Sequence, residues 1–124
     1  MTRTIPVGQT PNGVAVDLAT RAVYVANTTD NTVSVIDEAT GTVTGTIRVG
    51  SAPEAVAADP AAGTVYVANT DDGTVSVIDA ATSTVTGTIP VGPDPSAVAV
   101  DPGTHTAYEA NDGDNTVSVI SLCM

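Results

Sequence analysis

The chain repeats itself every 42 residues without a slip. Val7, Val49 and Val91 each precede a glycine, and the same step links Pro11, Pro53 and Pro95. It also links Asp17, Asp59 and Asp101, then Tyr24, Tyr66 and Tyr108, then Asn27, Asn69 and Asn111. A unit this short cannot bury its own apolar surface, so copies must stack to build a core. That requirement constrains the fold more than any single motif.

Each period divides into four strand-like segments. In the second period they are EAVAAD (54–59), TVYVAN (64–69), TVSVID (74–79) and TVTGTIPV (84–91). Turn residues separate them: PAAG, TDDG, AATS and GPDP. The chain has no Phe, no Trp and only three Tyr, so Val, Ala, Ile and Thr must fill the interior. β-Branched residues favour strands, and no window has the apolar spacing of an amphipathic helix. Four short strands per period predict a propeller blade, a small antiparallel sheet packed face to face against the next. The expected fold is all-β: a β-propeller with three four-stranded blades in a single domain of 124 residues.

VYVAN at 23–27 and 65–69, preceded by VAVD or VAAD and followed by TVSVID, resembles the YVTN-type β-propeller repeat. That family is known from surface-layer-like and lactonase-like propellers. The resemblance covers essentially the whole chain, and the third copy departs from it at AYEAN (107–111), where Glu109 replaces Val25 and Val67. It implies strands a to d running outward from a central axis, with the d–a connections and b–c turns sharing one face. It implies no single activity, because this fold carries enzymes, binding proteins and structural proteins alike.

With strands so named, the chain reads d–abcd–abcd–abc. Residues 1–7 form an outer strand donated to another blade. Residues 8–49 and 50–91 are complete repeats, and 92–124 is a third repeat lacking its outer strand. Met124 falls on the position of Thr40 and Met1 on that of Val43, so two repeat residues separate one end from the other. Two residues span ~7 Å, which would make the ends neighbours in a closed ring. Pro6 and Pro90 fit an edge strand, where a missing N–H is tolerated. Propellers close with about four to eight blades, so three blades predict a homodimer forming one six-bladed ring by strand exchange.

Fourteen acids against three Arg give a net charge of −11. Nucleic acid and anionic lipid both need a basic patch, so neither is an expected partner. No apolar run reaches the ~18 residues that span a bilayer, so membrane insertion is not expected. MTRTIPVG has no hydrophobic leader segment, which reads as cytoplasmic for the chain as written or as a leader already removed, whereas the resemblance is often to surface or secreted proteins. The single cysteine, Cys123, permits no internal disulfide.

The candidate ligand-binding residues are Glu54, Asn12 and Ser96. They share one repeat position, just before each innermost strand, and differ in side chain where the frame around them does not. The b–c turns NTTDNT, NTDDGT and NDGDNT, together with Glu54 and Asp94, put seven acids on the same face. Asp, Asn and Gly also favour tight turns for their own backbone geometry. DGD at 112–114 matches only the opening of a calcium loop. No cofactor is expected, and a divalent cation is the one ion this face leaves open. Asp17, Asp59 and Asp101 are expected to accept backbone N–H bonds in the a–b turns, with His105 a solvated turn residue. No nucleophile–base pair and no metal triad stand out, so no catalytic residue is assigned. The leading function is a non-catalytic scaffold or interaction module with an acidic loop face. The alternative, implied by the lactonase-like resemblance, is a hydrolase or lyase acting at the channel mouth, with Arg48 and Glu54 nearest to its machinery. A sugar-binding propeller is disfavoured by the lack of Trp and Phe for ring stacking. Glu109 is expected to lie near solvent or an arginine, with Arg3 of the exchanged strand as its partner.

Overall fold

The computed structural model describes residues 3–121, and among them every regular element is a strand. Blade 1 is β1 (Pro11–Asp17), β2 (Ala22–Asn27), β3 (Thr32–Asp37) and β4 (Thr42–Arg48). Blade 2 is β5 (Pro53–Asp59), β6 (Thr64–Asn69), β7 (Thr74–Asp79) and β8 (Thr84–Pro90). Blade 3 is β9 (Pro95–Asp101), β10 (Thr106–Asn111) and β11 (Thr116–Ser121). Each sheet is an antiparallel meander in sequence order, with four, four and three strands. Residues 3–7 carry no regular secondary structure and belong to no sheet of this chain. Cys123 and Met124 lie outside the described residues.

The hairpins share one construction. Each connection is four residues long and its last residue has positive φ, as at Arg21, Asn31, Gly41, Gly63, Gly73, Ser83, His105 and Asn115. In most of them its N–H reaches back to the carbonyl of the preceding strand's last residue, for example Arg21 to Asp17 at 2.8 Å, whereas Gly63 N donates to Pro60 O at 3.3 Å. The left-handed residue turns the chain into register with the strand's own twist. Gly and Asn fit there readily, whereas Arg21 and His105 hold the same conformation at some cost.

Successive blades pack face to face, with β1 against β5 and β5 against β9. One core lies between blades 1 and 2, where Tyr24, Ala26, Val33 and Val35 meet Val56, Val65 and Val67. A second lies between blades 2 and 3, where Tyr66, Val75 and Val77 meet Ala107 and Ile120. Alternation along a strand sends Tyr66 towards blade 3 and its neighbours Val65 and Val67 towards blade 1. Both faces of blade 2 are therefore buried, which explains strands that are apolar on both sides.

Candidate functional site

The b–c turns are laid onto the d–a connections by backbone hydrogen bonds. Thr28 N donates to Thr10 O (2.9 Å), Thr70 N to Ala52 O (2.9 Å) and Asp112 N to Asp94 O (3.0 Å). The a–b and c–d turns meet on the opposite face, with Glu38 N on Arg21 O (3.0 Å) and Ala80 N on Gly63 O (2.9 Å). Side chains reinforce the first face: Asp30 Oδ2 accepts from Gln9 N (3.0 Å) and Asp72 Oδ2 from Ser51 N (2.8 Å). Some turn acids thus cap the connection beneath them. All five acids of the b–c turns, and Asp94, are nevertheless exposed.

Beneath the turns each blade carries one clasp. Asn27 Nδ2 donates to Thr32 Oγ1 (3.2 Å) and Ser34 Oγ (2.9 Å). Asn69 repeats it on Thr74 and Ser76, and Asn111 on Thr116 and Ser118. The asparagines are at most 2 % exposed. Glycines of the d–a connections press on them, and a Cβ on Gly50 would stand 2.7 Å from Asn69 Cγ. The repetition of Asn, Thr and Ser in the sequence is the trace of this clasp.

Asn12, Glu54 and Ser96 occupy equivalent places with a common cause. In β1 the register jumps from Pro11 opposite Asn27 to Gly13 opposite Ala26, leaving Asn12 as the extra residue of a bulge. The same jump skips Glu54 between Pro53 and Ala55, and Ser96 between Pro95 and Ala97. Bulges re-aim side chains and are enriched beside functional sites. Asn12 is also tied into the frame: its Nδ2 donates to Thr28 Oγ1 (2.6 Å), which donates to Pro53 O of the next blade (2.7 Å). Glu54 and Ser96 are half-buried at the matching positions. Arg48 ends β4 with its side chain exposed. Among the described residues, no three His, Cys, Asp or Glu side chains gather closely enough to hold a metal ion.

The a–b turn aspartates accept backbone bonds as expected: Ala19 N to Asp17 Oδ1 (2.9 Å), Ala62 N to Asp59 Oδ1 (3.3 Å) and Gly103 N to Asp101 Oδ1 (3.0 Å). His105 departs from its expectation as a solvated turn residue. Its Nδ1 lies 2.8 Å from Asp59 Oδ2 across the joint between blades 2 and 3, with Asp59 fully buried. The turn carries His105 over the preceding blade, a placement that spacing within one repeat does not show. His105→Ala would strand Asp59 Oδ2 in the interior and should cost about 1–3 kcal/mol in a urea unfolding curve. A midpoint within error of the parent would show the contact carries no weight.

Glu109 is a second correction. It is neither near solvent nor beside Arg3. It is 0 % exposed and both carboxylate oxygens lack a hydrogen-bond partner. It shares with Ala107 the face of β10 turned to blade 2, opposite Val98 and Ser118. Arg3 instead donates to Thr40 O (3.0 Å) in blade 1. Burial, and secondarily the negative charge of Asp114, pushes the Glu109 carboxyl above the usual carboxylate range.

A model of the YNCE-like beta-propeller family matches residues 2–120. The chain belongs to that family. No curated protein matches it. Hydrazine synthase from Kuenenia stuttgartiensis is 30 % identical, with a TM-score of 0.87 over 97 % of this chain and 35 % of that one. A functionally unknown protein from Desulfotomaculum acetoxidans is 18 % identical, with a TM-score of 0.84 over 98 % of this chain and 40 % of its own. A chain of the nidogen/laminin complex is 16 % identical, with a TM-score of 0.75 over 92 % and 45 % respectively. The YNCE-like propeller seen here thus spans less than half of each of these solved chains. The last two likenesses concern the fold alone. No helix among the described residues is long and apolar enough to cross a membrane.

Proposed function

We propose that this YNCE-like propeller, with its YVTN-type repeats, is a non-catalytic scaffold whose acidic loop face engages a cationic protein surface. The observation that carries this reading is how the polar groups are divided. Apart from Glu109, the buried ones serve turns and joints: asparagine clasps within blades, threonine hooks and a His–Asp pair between them. The exposed charged groups on the loop face are mainly acidic, with Asp30, Asp71, Asp72, Asp94, Asp112 and Asp114 open to solvent and Asn12, Glu54 and Ser96 at the bulges beside them. Clustered like charge on a rigid face steers an oppositely charged partner and makes its binding salt-dependent.

The test is titration of the protein with a fluorescent oligolysine peptide at low and at 0.5 M salt, beside incubation with a panel of lactones. The peptide should bind at low salt, weaken at least tenfold at high salt, and weaken further when Asp71 and Asp112 become Asn. Lactones should be turned over no faster than in buffer. Lactone turnover that Glu54→Gln abolishes would overturn the scaffold reading and put a hydrolase at the channel mouth in its place. So would peptide binding indifferent to salt and to both substitutions.

A further inference from the structure

We propose that the joint between blades 1 and 2 holds a binding site for a small cation with N–H donors, of imidazolium or ammonium type, received by Asp17 Oδ2 beside Gly63. The site lies on the face of the a–b and c–d turns, so it does not depend on what the opposite loop face binds.

The chain builds the same joint twice, once with a donor for the aspartate and once without. Asp17 and Asp59 occupy one repeat position, and Gly63 and His105 occupy another. The two joints are held alike. Thr28 Oγ1 donates to Pro53 O across the first and Thr70 Oγ1 to Pro95 O across the second, both at 2.7 Å. In the second joint the His105 imidazole reaches back over blade 2 and sets its Nδ1 2.8 Å from Asp59 Oδ2. The His105 side chain is 44 % exposed although the carboxylate it meets is fully buried. A ring approaching from solvent can therefore reach an aspartate at this depth.

In the first joint Asp17 is 1 % exposed. Its Oδ1 accepts from Ala19 N (2.9 Å) and Thr20 N (3.3 Å), while its buried Oδ2 has no partner among the described residues. Gly63 holds the left-handed conformation of His105, with φ 66° against 57°, but has no side chain to send across. A Cβ built on Gly63 would meet no heavy atom within 4 Å, so the path the ring takes in the second joint starts from open space in the first. The surroundings are negative. Burial, then the charge of Asp17 and more weakly that of Asp79, push the Tyr24 phenol up, against a hydrogen bond with Thr20. Asp79 engages Ala81 N and Thr82 Oγ1 of its own turn, both at 3.1 Å, which leaves Asp17 Oδ2 as the free acceptor. A buried carboxylate oxygen without a donor is costly, and a cationic N–H group satisfies its hydrogen bond and its charge together.

Thermal unfolding of the intact chain at pH 6 with imidazole, which is largely protonated there, should show a midpoint that rises saturably with concentration. Tetramethylammonium carries the charge without an N–H and should give no saturable rise. Asp17→Asn keeps the turn acceptor and should raise the apparent dissociation constant for imidazole at least about tenfold. Gly63→His supplies the ring from within the chain and should abolish the response. It should also unfold at higher urea than Gly63→Ala, which carries the same positive-φ strain without the ring. N-Acetylhistidine methylamide presents the ring as a partner's side chain would. Binding as tight as that of imidazole would assign the site to a partner's side chain, and binding of imidazole alone would assign it to a free small molecule; either supports the site. No response to either probe, an equal response to tetramethylammonium, or an imidazole response that survives Asp17→Asn or Gly63→His would overturn it.

Discussion

Glu109→Val stabilises the chain at pH 7 by at least about 2 kcal/mol in chemical denaturation, and the gain fades towards pH 4. Valine is what blades 1 and 2 carry at this position, as Val25 and Val67, so the volume is already accommodated by the fold. At acid pH the folded and unfolded chains both hold the Glu109 proton, and burial carries no charge penalty. Above the ordinary carboxylate range the unfolded chain ionises while the buried group resists. Stability of the parent therefore falls as pH rises towards the raised value and levels off beyond it. Glu109→Gln should flatten the same slope without the full gain, because its amide remains unpaired. A parent whose stability rises with pH across that window, or a Val variant weaker than the parent, would mean the carboxylate has a partner that this geometry does not show.

Asn69→Ala acts in the opposite direction, with an expected loss of about 2–4 kcal/mol in urea unfolding. Two hydrogen bonds go, at 3.2 and 2.9 Å, and Ser76 is left 2 % exposed with its hydroxyl stripped of the amide donor. Gly50→Ala attacks the clasp from the other side, since its methyl would push on Asn69 Cγ at 2.7 Å. The two changes together should cost less than their sum, because they break the same contact. A full sum would show the two residues to be independent and the clasp to be a coincidence of spacing.

The blades were legible because local chemistry writes them. β-Branched runs and turn residues place TVSVID at Thr74–Asp79 and TVYVAN at Thr64–Asn69, as the structure has them, and put Asp17, Asp59 and Asp101 in turns that they cap. Asn12, Glu54 and Ser96 were visible as one repeat position, yet the bulge that sets them apart is a property of strand pairing and left no mark of its own in the residues. What failed lay between blades. His105 and Asp59 meet because blade 3 overhangs blade 2, and Glu109 is buried because β10 turns that face inward. Periodicity tells which positions are equivalent. It does not tell which neighbour each one touches, and where the repeat breaks its own rule, as at Arg21, Gly63 and His105, the touching is what matters.

The two inter-blade cores are unequal, and this bears on how the chain would assemble in time. Among the described residues every ladder joins strands adjacent in sequence through four-residue connections, so each blade can zip locally before any distant contact is needed. Docking then follows a one-dimensional order set by nearest-neighbour strength. Among the described residues, ten buried ones form the core between blades 1 and 2 against five between blades 2 and 3, and Glu109 weakens the latter further. On that ordering blades 1 and 2 should make the cooperative unit, with blade 3 the last to dock and the first to fray, which amide hydrogen exchange would read as lowest protection in β9–β11.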